Sequence, residues 1–157
     1  MTPDCKTVFL QKAYQAGLAS GHIWPDYAAC EAALESAWGT STLAIKANNL
    51  FGQKASSHTP ADEILELPTH EEVNGVMVPT MANWVKFPDW NACFAARMDV
   101  LRRLASIYPD YALALAATSG EDFVNEVSHT WSTDHLRGQK VLAIYEAHKS
   151  AFLPDPV

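Results

Sequence analysis

The stretch richest in chemical content is Ala32-Ala33-Leu34-Glu35-Ser36-Ala37-Trp38-Gly39, followed after a short linker by Ala47-Asn48-Asn49-Leu50-Phe51-Gly52. Ala28, Ala32, Leu34 and Trp38 can lie on or beside one apolar helical face, with Glu35 embedded among them. A carboxyl group taken partly out of water has its charged form disfavoured. Gly39 is expected to end the helix, leaving Glu35 near a helix C-terminus, where the partial negative charge acts in the same direction. A carboxylic acid that keeps its proton near neutrality can pass it to a leaving group as a general acid. On spacing alone, Glu35 also fits a solvated position on an alanine-rich helix. The other reactive residue types form no pattern. Cys5, Cys30 and Cys93 are odd in number, widely spaced and read as small buried apolar residues. The six histidines lack ligand spacing, so neither a metal nor a cofactor is expected.

The elements that must position Glu35 follow from caps and periodicity. Thr2-Pro3-Asp4 starts a helix that runs to about Ala19, with Cys5, Phe9, the Lys12 stem and Ala16 along one stripe, and Gly21-His22 ends it. Trp24-Pro25-Asp26 opens the helix that carries Glu35, and Thr40 or Ser41 caps a short third helix through about Ala47. Beyond Gly52 the character changes. Ile64–Leu67 and Val76–Val78 flank Val73-Asn74-Gly75, a hairpin signal, and Trp84–Phe87 reads as a further strand. Asp89 caps a long helix with Phe94, Met98, Leu101 and Leu104 at helical spacing. A short helix over 111–117, one capped by Ser119, and a last one over about 135–152 stopped by Pro154 and Pro156 complete the chain.

The 157 residues, 48% of them hydrophobic, suit one compact domain over 1–157, with a β lobe at about 62–87. The formal net charge of −7 argues against a nucleic-acid partner and against long-range attraction to anionic polymers or membranes. No stretch reaches the length that spans a bilayer, and Val8-Phe9-Leu10 is far too short for a secretory signal core.

Glu35-Ser36-Ala37-Trp38-Gly39 and Ala47-Asn48-Asn49-Leu50-Phe51-Gly52 resemble the signature of the bacterial endo-β-N-acetylglucosaminidases, the family 73 glycoside hydrolases. These cut peptidoglycan glycan strands and include autolysins, the flagellar rod-cap hydrolase and phage lysins. Looser similarity continues to about Phe152. The resemblance implies an α+β, mainly α, lysozyme-like domain with a small β-hairpin lobe and a glycan cleft between the two. It also implies that Glu35 donates the proton. The family block Thr-Thr-Glu-x-Val-Asn-Gly is similar to Thr69-His70-Glu71-Glu72-Val73-Asn74-Gly75, which implies Glu71 as second carboxylate. Glu71 would activate water, or assist while the substrate's acetamido group attacks. Neighbours on a strand face opposite ways, so only one of Glu71 and Glu72 can face the cleft, and Glu71 is chosen over Glu72. Both could instead be solvated charges. The family's hairpin is thought to move, so Glu71 is expected far from Glu35 without substrate.

A third block, Thr130-Trp131-Ser132-Thr133-Asp134-His135, is similar to the family's Gly-Tyr-Ala-Thr-Asp-Pro, with Trp131 in the place of the tyrosine. Tryptophan can stack on a sugar but supplies no phenol hydroxyl. Trp38 and Trp131 are the expected cleft aromatics, and Trp24, Trp84 and Trp90 the expected packing residues. Asn48 and Asn49 are expected to shape the loop beneath the cleft with Phe51 packed under it, Asn49 and Phe51 also being candidates for sugar contact. Asp134 is either a substrate contact or the cap of the last helix. The implied activity is a peptidoglycan hydrolase, expected as a monomer. With no signal core visible, it is expected to be made in the cytoplasm and to reach the wall after release, as a phage lysin does, and a domain excised from a longer secreted protein would fit too. Two rivals would use the same glutamate, a muramidase and a lytic transglycosylase; a third is a non-catalytic glycan-binding or assembly protein on the same fold.

Overall fold

The computed structural model describes residues 4–154, so Thr2, Pro3 and Pro156, named above as helix signals, lie outside the described residues. Among the described residues, seven α-helices and one antiparallel pair of strands follow in the order α1 (Cys5–Ser20), α2 (Pro25–Glu35), α3 (Thr42–Ala47), β1 (Ile64–Val73), β2 (Val76–Val85), α4 (Trp90–Leu104), α5 (Pro109–Leu115), α6 (Gly120–Trp131) and α7 (Arg137–His148). Short 3₁₀ turns cover Ala61–Glu63 and Lys149–Phe152. The mainly helical architecture with a hairpin lobe is the expected one.

Local chemistry explains most boundaries. Asp4 caps α1 by accepting from the Thr7 N–H, and Gly21 closes it in a left-handed conformation, with the His22 N–H donating back to the Gly17 carbonyl. Ser41, Asp89 and Ser119 cap α3, α4 and α6 in the same manner. Pro25 and Pro109 occupy the first helical position, where a missing N–H costs nothing. In the hairpin, Asn74 and Gly75 both have positive φ, which a two-residue turn matching strand twist requires.

Three expectations are corrected. The lobe holds two ten-residue strands in one continuous ladder, not three short ones, and Trp84-Val85 ends β2. Pro68 and Pro79 do not interrupt it, because in a two-stranded ribbon each strand has a free edge on which proline is tolerated. Cys5 is exposed, whereas Cys30 and Cys93 are buried as expected. Helix α2 stops at Glu35 instead of Gly39. Its residues Ala28 to Ala33 are all buried, so it is a central helix enclosed on every side instead of an amphipathic one. Alanine side chains let α1, α6 and α7 close on it from different directions.

Into that alanine-lined centre α2 also carries Glu31, which is fully buried. Arg97 of α4 grips it with two parallel bonds of 2.9 and 2.7 Å, and Arg137 of α7 adds a third of 2.8 Å. Both guanidiniums are buried as well. Burial alone would push the Glu31 carboxyl up, but Arg97 and Arg137 outweigh it and hold it at about 2. Nearby, His22 sits edge-on to Phe94 and Phe123, its Nδ1 accepting from the Trp24 N–H and its Nε2 without a partner. Burial first, then Arg97, push its imidazole down to about 3, so it is neutral in the folded state.

Two measurements check this core. Glu31→Gln leaves two buried guanidiniums short of a counter-charge and should cost about 3–5 kcal/mol in denaturant unfolding. Stability should also fall with acid in two stages, since both groups bind protons more weakly folded than unfolded. The His22 contribution is complete above about pH 6.5 and fades toward 3; that of Glu31 is complete above about 4.5 and fades toward 2. His22→Gln should flatten the upper stage alone in unfolding curves recorded against pH.

Candidate active site

Glu35 is the last residue of α2, and the residues after it build a tight reversal. Ser36, buried, donates its hydroxyl to the Ala32 carbonyl at 2.6 Å and accepts from the Gly39 N–H at 2.9 Å. Ala37, Trp38 and Gly39 are all left-handed, with φ of 51°, 59° and 78°. Two consecutive non-glycine residues in that region carry strain that the surrounding bonds must offset. The reversal swings Trp38 away from Glu35, to pack on Phe9 and His148 beneath the Lys6 ammonium. Trp38 therefore supplies none of the apolar surround expected for Glu35. The Glu35 side chain keeps a quarter of its surface, and its Oε1 accepts from Arg137 Nε at 2.8 Å. Arg137 thus joins Glu35 to buried Glu31, while its third nitrogen donates to Ser128.

Glu35 opens onto a groove of about 700 Å³. One wall comes from α4 and α5 through Val100, Arg103, Leu104 and Tyr111, another from Phe51 to Lys54 with Trp84 of β2, and a third from Trp131 and Ser132 at the end of α6. Among the described lining residues Glu35 is the sole acid.

The fold brings together some of the expected residues and not others. Phe51 and Trp131 line the groove and clasp the Arg97 guanidinium, which lies 4.7 and 4.4 Å from their ring centroids. The Trp131 indole N–H also donates to the Phe51 carbonyl at 3.3 Å. Asn49 is buried and spends its amide on loop structure: Nδ2 donates to the Gln53 and Val85 carbonyls, and Oδ1 accepts from the Gln53 N–H. Asn48 does the same toward Phe87. Asn49 is thus a loop-shaping residue beneath the groove and does not line it. Trp38 and Asp134 lie outside the lining as well. Asp134 accepts from the Leu136 N–H and pairs with Lys140, organising the turn before α7. Trp84, expected as packing, forms part of the groove wall.

Glu71 is exposed and faces Val78 across the ladder, outside the groove. Directly paired residues share a face of an antiparallel ribbon. Successive pairs Glu71–Val78, Thr69–Thr80, Leu67–Ala82 and Leu65–Trp84 therefore place Glu71 on the Trp84 side, and Glu72 on the other. Six residues separate Glu71 from Leu65, roughly 20 Å of extended strand. Neither strand packs on a helix beyond marginal contact, so the hairpin is held to the helices at its base.

Sequence reasoning missed Glu31, Arg97, Arg137, Ser36 and Tyr111. The signals were present. Glu31 and Glu35 are four apart on one helix, a like-charge pair that calls for cations. Arg97 falls on the apolar stripe of Phe94, Met98 and Leu101. Elsewhere, Asp110, Glu126 and His129 bring potential ligand atoms within 4.8 Å of one another, a cluster that spacing in the chain did not announce.

Solved structures with the same fold include the catalytic domain of the autolysin Auto from Listeria monocytogenes, at 21% identity and a TM-score of 0.82 over 97% of this chain and 89% of that one. A peptidoglycan hydrolase mutant from Sphingomonas sp. A1 matches at 21% identity and 0.74, covering 93% and 97%. A truncated glycoside hydrolase domain of FlgJ from Salmonella typhimurium matches at 23% and 0.69, covering 92% and 98%. No curated protein matches the chain. Residues 11–150 match the glucosaminidase family model, described as mannosyl-glycoprotein endo-β-N-acetylglucosaminidase. A match over so much of the chain, on a lysozyme-like fold with one glutamate at the head of an aromatic groove, makes this protein a glycoside hydrolase of the glucosaminidase family.

Proposed function

We propose that the protein cleaves β-1,4 bonds in peptidoglycan glycan strands as an endo-β-N-acetylglucosaminidase, with Glu35 as proton donor. The observation that carries the reading is the division of labour within the Glu35 carboxyl group. Oε1 is held by Arg137, whereas Oε2 has no hydrogen-bond partner among the described residues and belongs to the one acid lining the groove. In the protonated form, Oε1 is the carbonyl oxygen that accepts from Arg137, and Oε2–H delivers its proton to the bridging oxygen. Arg137 is thus a positioning residue. Trp84 and Trp131 offer faces for sugar stacking, and Tyr111, the sole phenol among the described lining residues, offers a hydroxyl that Trp131 lacks.

The second carboxylate is Glu71. It lies on the groove side of the ribbon, and bending of the hairpin about its base would bring it toward Glu35. A carboxyl separation of ~6.5–9.5 Å in the closed state fits activation of water, and ~5–5.5 Å fits a covalent intermediate. If the substrate's acetamido carbonyl attacks instead, Glu71 only assists. Peptidoglycan is preferred over the glycoprotein glycan in the family's description because the folds most like this one include an autolysin and a peptidoglycan hydrolase. A lytic role follows from the same reading.

Turbidity of purified cell walls should clear with the wild type, and Glu35→Gln should slow clearing by ~10²-fold or more. Glu71→Gln should slow it well beyond Glu72→Gln, which changes the opposite face; equal effects would count against Glu71. N-acetylglucosamine at the new reducing end, read by mass spectrometry after borohydride reduction, is the expected product. Muramic acid there would identify a muramidase, and an anhydro-sugar a transglycosylase. Tyr111→Phe should lower kcat/KM by about 3–10-fold, the value of one neutral hydrogen bond, with the fold unchanged by circular dichroism.

A further inference from the structure

The groove does not end at its aromatic walls. A second hollow of about 610 Å³ shares Gln53, Val100 and Arg103 with it and runs on past Arg102 and Asp99, away from Glu35. The chain has four arginines in all. Two, Arg97 and Arg137, lie buried beneath the groove, and the other two, Arg102 and Arg103, stand exposed along this continuation. Lys54 joins them from the opposite wall, its ammonium 5.8 Å from the Trp84 ring centre. Its backbone is pinned to β2 by bonds on either side, Val85 N–H to Gln53 and Ala55 N–H to Asn83. None of the three cations pairs with a carboxylate within 4 Å among the described residues, and Asp99, although it borders the hollow, bonds to neither arginine.

Three unpaired cations along one groove are notable in a chain of net charge −7. Stacking faces and neutral hydrogen bonds suffice to hold sugar hydroxyls. A guanidinium fork beside an ammonium suits a carboxylate. Peptidoglycan differs from an unsubstituted glycan in bearing short peptides with free carboxyl groups. We infer that the Lys54–Arg103 stretch of the groove, extended by Arg102, is a subsite for the peptide-stem carboxylates, so that the enzyme selects stem-bearing strands over bare glycan. This rests on the peptidoglycan reading above. The subsite is formed by side chains from two walls, and the flanking aromatics would hold the sugar while the cations hold its substituent.

The test measures binding, so that it does not depend on cleavage. In a Glu35→Gln background, calorimetry would compare soluble peptidoglycan oligomers with their stems against the same oligomers stripped by an amidase and with the lactyl carboxyl groups that stripping exposes capped as methyl amides, both free of phosphate-bearing wall polymer. The stem-bearing form should bind about 5–10-fold tighter, the worth of two exposed charge pairs, and 0.5 M salt should erase most of the difference. Adding Lys54→Gln and Arg103→Gln should bring the ratio of the two affinities close to one, with thermal unfolding unchanged to show that the fold survives. Equal affinities in the parent, or a preference that persists in the double variant, would overturn the subsite. So would a preference seen only when wall phosphate polymer is left attached, since phosphate would then be the anion recognised. Loss of glycan cleavage by the wild type would sink the glycosidase reading and leave this binding comparison standing by itself.

Discussion

A buried carboxylate between two guanidiniums holds this molecule together at the point where it matters. Glu31 cannot be removed from water at tolerable cost unless its charge is met, and Arg97 and Arg137 meet it from α4 and α7. Arg137 has a further N–H to place, and Glu35, one turn further along α2, accepts it through Oε1. Of the four groups only Glu35 reaches the groove. The orientation of the single acid among the described lining residues is thereby fixed by the packing of three helices, and its carboxyl group cannot rotate without breaking a bond to a residue that the core needs. A site built on such helices is more exact than one carried on loops.

The parts of this design that could be read from the chain are those written locally. Asp89, Ser119 and Ser41 cap the helices they were expected to cap, and Asn74-Gly75 turns the hairpin, because each signal acts within a few residues. Ser36, Trp38 and Gly39 of the glutamate motif were legible as a pattern but not as a shape. Three consecutive left-handed residues cannot be foreseen from periodicity, and they place Trp38 on Phe9 and His148, outside the groove it was expected to line. The burial of α2 on all sides was equally hidden, since alanines look the same whether they face one neighbour or three. Arg97 sat in plain view on an apolar stripe. A period argument that counts only apolar residues passes over the charge that interrupts them.

The hairpin follows a different logic from the helices. Its base is tied to the loop that carries Phe51 to Lys54, through the Lys54–Trp84 bridge and the bonds of Gln53 and Ala55. Toward the tip the ladder is complete but, among the described residues, packs on no helix beyond marginal contact, and Val73, Val76, Met77 and Met81 are more than half exposed. Backbone pairing keeps such a ribbon intact while leaving its direction free, because bending at the base breaks few contacts. An element of this kind can carry a functional side chain across a groove without unfolding. The register decides which side chain that is, and it does so for any bend, since the two faces of the ribbon do not exchange.

The same economy explains the tryptophan that stands where the family's motif has tyrosine. Arg97, fully buried, has its Nε without a partner, and what it lacks in hydrogen bonds is partly offset by the Phe51 and Trp131 rings, which stand nearly perpendicular to each other beside its guanidinium. An indole offers a larger and more electron-rich face than a phenol, and its N–H fastens to the Phe51 carbonyl, tying the two residues together. Residue 131 therefore serves the buried ion network and also lines the groove. Tyr111, whose ring centre lies 6.2 Å from that of Trp131, brings a phenol to the same wall from a different helix. Replacing the motif tyrosine by tryptophan thus gives Arg97 an indole face, while a phenol remains among the groove's lining residues, carried by Tyr111 on α5.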